Sequence, residues 1–117
     1  MSISRLIASI ALLLACSAVL AQGNVLFLRD APIDKMNRED LDLLVKNYTA
    51  ALDRNADGQA SAWSNPKTGA SGTAKPLTTK VEKGMTCREL EFTNRAGGLT
   101  GGGTFNFCKI DGAWKIP

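Results

Sequence analysis

The feature that most constrains this chain is the symmetry of "TCRELEFTNRAGGLTGGGTFNFC", in which Cys87 and Cys108 stand equidistant from Gly97-Gly98. A tight two-residue hairpin turn needs positive φ at both central positions, which glycine adopts without steric penalty. A turn there pairs positions whose numbers sum to 195, and 87 with 108 is such a pair. Directly opposed Cα atoms in an antiparallel ladder lie about 4.5 to 5.5 Å apart, within disulfide range. Neither a C-x-x-C motif nor a histidine is present to make one of these thiols reactive. The spacing therefore predicts a structural Cys87–Cys108 disulfide, which stabilises by about 3 kcal/mol in the chain-entropy account.

Two further turn signals extend the arithmetic. A turn at Lys83-Gly84 pairs positions summing to 167 and sets Leu77 opposite Leu90; one at Asp111-Gly112 gives 223 and sets Phe107 opposite Ile116. Strand alternation then gathers Leu77, Val81, Leu90, Phe92, Phe105, Phe107, Trp114 and Ile116 on one face. Cys87, Cys108, Glu89, Glu91, Thr104, Asn106 and Lys115 fall on the other. A sheet with one apolar face needs a cover. "NREDLDLLVKNYTAALDR" supplies it: Asn37 is a good N-cap, Glu39 and Asp40 suit the first turn, and Leu41, Leu44, Val45, Tyr48, Ala51 and Leu52 recur at helical spacing as far as about Asn55. From Gln59 onward the chain reads as β, punctuated by Gly, Pro and Asn. The expected fold is α+β: one N-terminal amphipathic helix packed on one face of a four- or five-stranded antiparallel meander, with one disulfide. Trp114 belongs to the core face, whereas Trp63, beside "NPKTG", is open to either a core or a ligand-stacking role.

Residues 1–21 read as an export signal: Arg5, a 15-residue apolar run "LIASIALLLACSAVL", then small residues. The run is shorter than the roughly 20 residues of a membrane span. Two cuts have warrant. Val19-Leu20-Ala21 sets small or short residues before a cleavage after Ala21, and this reading is favoured. Leu13-Leu14-Ala15-Cys16 fits a lipobox, which would leave Cys16 as a lipidated N-terminus and the sole link to a membrane. Either cut leaves Cys87 and Cys108 as an even pair for oxidation, because Cys16 is removed by one and lipidated after the other. The expected organisation is a signal peptide over 1–21, a tether over 22–36 containing the apolar patch Val25–Leu28, and one domain over 37–117.

Charge and composition narrow the function. Residues 22–57 carry five basic and seven acidic groups, and residues 58–117 carry eight and four. The lysines are scattered, so the pattern predicts a solvated surface and no nucleic-acid partner. Histidine is absent, which removes the commonest general base and zinc ligand. "DRNADGQASAWS" overlays the start of a calcium loop, with Asp53, Asn55, Asp57 and Gly58 at positions 1, 3, 5 and 6. Its twelfth position is Ser64 where a bidentate glutamate is required, so a helix end running into an Asp-Gly turn is the better reading. "GGLTGGG" leads into a strand and lacks the helix N-terminus that a phosphate loop needs. "NYT" falls mid-helix as a chance sequon, and Glu89 with Glu91 reads as surface ion pairing with Lys80 and Lys115.

The β half resembles the C-terminal domain of the bacterial outer-membrane surface antigens of the rickettsial 17 kDa type. The shared pattern is Gly58, Trp63, Asn65-Pro66, Thr68-Gly69, Gly72, Pro76, Cys87-Arg88-Glu89, Gly97-Gly98, Cys108 and Asp111 to Ile116, across residues 48–117. The resemblance implies a Gram-negative envelope protein, exported to the periplasm or outer membrane, often lipidated and of no established enzymatic activity. Typical members carry a glycine-zipper membrane segment before this domain; none occurs here, so insertion through a zipper does not carry over. The expectation is a non-enzymatic exported protein, structural or partner-binding, with no cofactor and an envelope or cell-surface protein as partner. The alternatives are a secreted module that binds or inhibits a hydrolase or other protein, and weak calcium-dependent adhesion.

Overall fold

Lys83 and Gly84, Gly97 and Gly98, and Asp111 and Gly112 all take positive φ, between 50° and 79°, as a tight hairpin turn demands of both central residues. Three two-residue connections force consecutive strands to be neighbours. In the computed structural model, which describes residues 31–117, five strands follow in chain order: β1 (Ser61–Ser64), β2 (Ser71–Glu82), β3 (Met85–Ala96), β4 (Leu99–Ile110) and β5 (Ala113–Lys115). All pairings are antiparallel. The signal segment, Cys16, both cleavage sites and the Val25–Leu28 patch lie outside the described residues. The compact unit is Pro32–Pro117.

Cys87 pairs directly with Cys108, their Cα atoms 4.0 Å apart, and the disulfide joins them with both residues buried. The register expected from Lys83-Gly84 holds from Glu82–Met85 to Thr78–Glu89 and then slips. Leu77 does not face Leu90; Pro76 does, and Leu77 is left without a partner at a bulge between Pro76 and Thr78. Proline has no N–H to give to the ladder and is tolerated in sheets at edges and bulges. One inserted residue reverses which side chains face the core, so Ala74 and Pro76 take the place expected for Leu77. At the C-terminus the pairing stops at Lys115, so Ile116 lies beyond β5, 59% exposed, and the Phe107–Ile116 pair is not made. Val81 is on the expected face but near the turn, beyond the cover of the helix, and is 76% exposed.

The helix α1 (Arg38–Arg54) is bounded by the expected caps, Asn37 and Asn55. Its apolar stripe is rotated from the expected one. Val45 points outward, 46% exposed, while Leu43 and Leu44 pack with Met36 around Trp63, Ala70 and Ala96. A second cluster joins Ala51, Leu52, Ala74, Leu90 and Phe107, flanked by Tyr48, Phe92 and Trp114. The small side chains of Ala51 and Ala74, both fully buried, let helix and sheet approach closely. Tyr48 meets Phe92 and Phe107 at ring centroids of 5.6 and 5.5 Å. Trp63 is thus a core residue. A short 3-10 turn, Pro32–Lys35, lies against the β3–β4 hairpin: the Lys35 side chain occupies the space a side chain at Gly97 would need, and Pro32 does so at Gly101. The part of the expected tether from Pro32 to Met36 therefore packs on the domain.

Candidate functional site

The densest polar chemistry gathers where the C-terminus of α1 meets the sheet. The last carbonyls of a helix have no intrahelical donor and need one from elsewhere. Arg88 provides it. Alternation places it between Thr86 and Leu90 on the core face of β3, so its guanidinium is delivered beneath the helix end, 7% exposed. It donates to the Leu52 carbonyl at 2.7 Å, the Ala51 carbonyl at 3.3 Å and the Asn55 carbonyl at 2.7 Å. The remaining N–H groups reach Asp57 Oδ1 at 2.9 Å and Thr79 Oγ1 at 2.9 Å. The planar five-donor fork suits this set as a lysine ammonium does not. Arg88 and then Thr79 hold the Asp57 carboxyl below the usual carboxylate range. Positive charge at a helix C-terminus also complements the helix dipole.

A second network ties down the N-terminus of α1. Asn37 and Asp40 form a reciprocal capping box, at 2.9 and 3.0 Å. Asp40 is buried, and its Oδ1 accepts from Asn65 Nδ2 at 2.8 Å and Thr68 Oγ1 at 2.7 Å. Burial raises the Asp40 pKa, but hydrogen bonds from Thr68, Asn37 and Asn65 outweigh it, so the carboxyl sits below its ordinary value. The β1–β2 loop carrying "NPKTG" is thereby fastened to the helix. Between the two networks, Asn47 Nδ2 donates to the Ser61 carbonyl at the start of β1.

The calcium-loop residues each turn to a partner of their own. Asp53 Oδ1 accepts from Trp114 Nε1 at 2.7 Å and pairs with Lys109 at 3.6 Å. Asn55 Nδ2 donates to Ser61 Oγ and the Gln59 carbonyl. Asp57 faces Arg88. Gly58 carries the positive φ of the turn and donates its N–H to the Pro76 carbonyl. Glu82 lies within 4.8 Å of both cysteine sulfurs, yet those sulfurs are joined to each other and offer no thiolate to a metal. Glu91 pairs with Lys75 at 3.5 Å, and Glu89 accepts from Thr78 Oγ1, in place of the expected Lys80 and Lys115. An open depression of about 420 Å³ lies over Arg88, Lys109 and Trp114, with Asp53 at its rim.

The sequence places Asp40 in the first turn of the helix and Arg88 in the shared family pattern, but the anchoring role of each was not foreseen. Arg88 is two residues from Leu90 and four from Phe92, so the alternation that chose those residues also placed a charge among them. Asp40 stands three residues after Asn37, the capping-box spacing.

The chain matches the family described as the 17 kDa outer membrane surface antigen over residues 50–115. It belongs to that family. The surface-antigen match spans the end of α1 and all five strands, and so contains every group of the Arg88 network while stopping short of Asp40. No curated protein and no solved structure matches the chain. Membership implies an exported protein of the outer membrane or cell surface, in agreement with a non-enzymatic envelope role. Among the described residues no helix is long and apolar enough to cross a membrane.

Proposed function

We propose that this surface antigen is a rigid display domain, an exported envelope protein that acts by presenting a fixed surface to a protein partner and catalyses no reaction. The observation that carries the reading is the use of the buried polar groups. Among the described residues Arg88, Asp40 and Asn65 are the buried polar and charged residues, and each donates or accepts within the framework that fixes helix to sheet, while the Asn94 side-chain oxygen is a buried polar atom without a partner. In an active site such groups are held toward a reactant; here they are consumed by architecture. The outward surface of the short-turned hairpins includes Lys80, Lys83, Lys109 and Lys115 together with the apolar Val81 and Phe105.

The intact mass of the protein from envelope fractions, combined with labelling of intact cells by a membrane-impermeant amine reagent, tests this. Recovery in the envelope with a processed N-terminus and labelled surface lysines supports it. Recovery in the cytoplasm with residues 1–21 still attached refutes it. The same mass decides between a chain starting at Gln22 and one starting at a lipidated Cys16.

A further inference from the structure

We propose that Leu99–Phe105 of β4 is a dimerisation edge, which pairs antiparallel with the same segment of a second copy of this chain about a two-fold axis through Gly102. The inference stands on the edges of the sheet and does not rest on the function proposed above.

An open sheet has two edges, and each offers unpaired backbone groups unless something blunts it. One edge here is blunted in every way available. Beyond β1, the free part of β2 carries Lys75, Pro76, the bulge at Leu77, Lys80 and Glu82, and the Gly58 N–H caps the Pro76 carbonyl at 2.6 Å. Among the described residues the other edge has none of these devices, and only Pro32 of the 3-10 turn rests against it, at Gly101. Strand β5 pairs only with Cys108–Ile110, so among the described residues no strand lies along Leu99–Phe107. That stretch, "LTGGGTFNF", holds no charge, no proline and no register shift.

Geometry says which groups it offers. Ala96 and Leu99 close a two-residue turn, so they form a hydrogen-bonded pair, and odd-numbered residues of β4 direct their N–H and C=O toward β3. Thr100, Gly102 and Thr104 therefore direct theirs outward. The segment "LTGGGTF" reads nearly the same from both ends about Gly102. In a two-fold antiparallel pairing centred there, Thr100 faces Thr104 of the other copy, Gly101 faces Gly103 and Leu99 faces Phe105. Threonine pairs and aromatic–aliphatic pairs are favourable cross-strand neighbours. Phe105, 47% exposed with its ring lying over its own Gly103, gains an apolar partner. Six backbone hydrogen bonds form, two at each of three facing pairs. No like charges meet along the seam, and the pairing ends before the position of Ile116 and Pro117. Self-complementarity of one patch is what a two-fold interface requires, and it selects a second copy over an unrelated strand.

Sedimentation equilibrium on the full exported chain, up to about 0.5 mM because so short an interface is of the weak class, reads the proposal, with amide hydrogen exchange alongside. Two variants accompany it. Thr104→Pro removes an outward N–H that β3 does not use, and the double variant Thr100→Lys/Thr104→Lys sets lysines against each other across the seam. The expected result is a wild-type mass that doubles with concentration, slow exchange at Thr100, Gly102 and Thr104, and loss of both in the two variants while tryptophan fluorescence is unchanged. A wild-type chain monomeric throughout overturns the proposal. So does a dimer that survives both variants, which would use another surface. Slow exchange at these amides in a monomer also overturns it, because the chain's own N-terminal residues would then cover the edge.

Discussion

Replacing Arg88 by methionine keeps much of the side-chain volume and removes all five hydrogen bonds, so it isolates the clamp at the end of α1. Two of those bonds, at 2.7 Å to the Leu52 and Asn55 carbonyls, are the shortest. A hydrogen bond involving a charged group is worth roughly 1.5 kcal/mol or more, so these two alone carry about 3 kcal/mol. The bonds to Thr79 and Asp57 lie toward solvent, with the Asp57 side chain 45% exposed, and add less. Methionine recovers about 1 kcal/mol by burying its thioether, which offsets that smaller part. The expected net loss is about 3 kcal/mol, a large share of the 5 to 10 kcal/mol typical of a small domain. Arg88→Lys should lose about 2 kcal/mol, since three donors cannot serve five acceptors in a plane. Urea unfolding followed by the fluorescence of Trp63 and Trp114 gives both numbers. A loss below about 1 kcal/mol for the methionine variant, or a lysine variant as stable as wild type, would refute the clamp as a stabilising element.

Asp40 gives a pH test. Its folded pKa is lowered, so the unfolded chain holds the proton more tightly; this contribution is present above the ordinary aspartate value of 3.8 and is lost as pH falls below it. Unfolding titrations of wild type and Asp40→Asn from neutral to acidic pH should show the wild type losing more stability below pH 3.8 than the variant does. Reduction of Cys87–Cys108, or its replacement by two alanines, should lower stability by about 3 kcal/mol in the same assay while far-ultraviolet dichroism still reports the sheet. Gly72→Ala should cost about 1 to 3 kcal/mol, because its Cβ would lie 2.6 Å from Trp63 Nε1 and 2.8 Å from the Thr93 carbonyl oxygen; thermal unfolding checks it.

The three hairpins were legible because each turn is spelled by two residues, and a two-residue turn sets register over the strands it joins. That local rule carried the disulfide and the pairing of Leu90 with Phe105. It failed at Leu77, where Pro76 interrupts the ladder and the strand slips by one. The failure is informative: the proline was visible, but whether a proline at a strand edge only blunts it or also shifts it depends on what receives its carbonyl, here Gly58 from a distant turn. Val45 and Leu43 were exchanged for a related reason. Helical spacing allows either, and the choice fell to the position of Trp63 and Met36, which no periodicity encodes. The roles of Arg88 and Asp40 were not legible, because nothing local in a sequence marks a charged residue as buried. Their burial becomes intelligible only once the helix ends they serve are placed above them.

The direction of the Arg88 bonds has a bearing on how the sequence can drift. Three of its five acceptors are main-chain carbonyls, a group that nearly every residue type supplies alike. The seat of the helix end is therefore indifferent to the identity of the side chains on the outer side of α1. Asp42, Val45, Lys46 and Thr49, all exposed, can be exchanged without moving the backbone beneath them. In a member of the outer membrane surface antigen family, this separates the side chains on the outer side of the helix from what keeps the domain in shape, and lets the first vary while the second stays fixed.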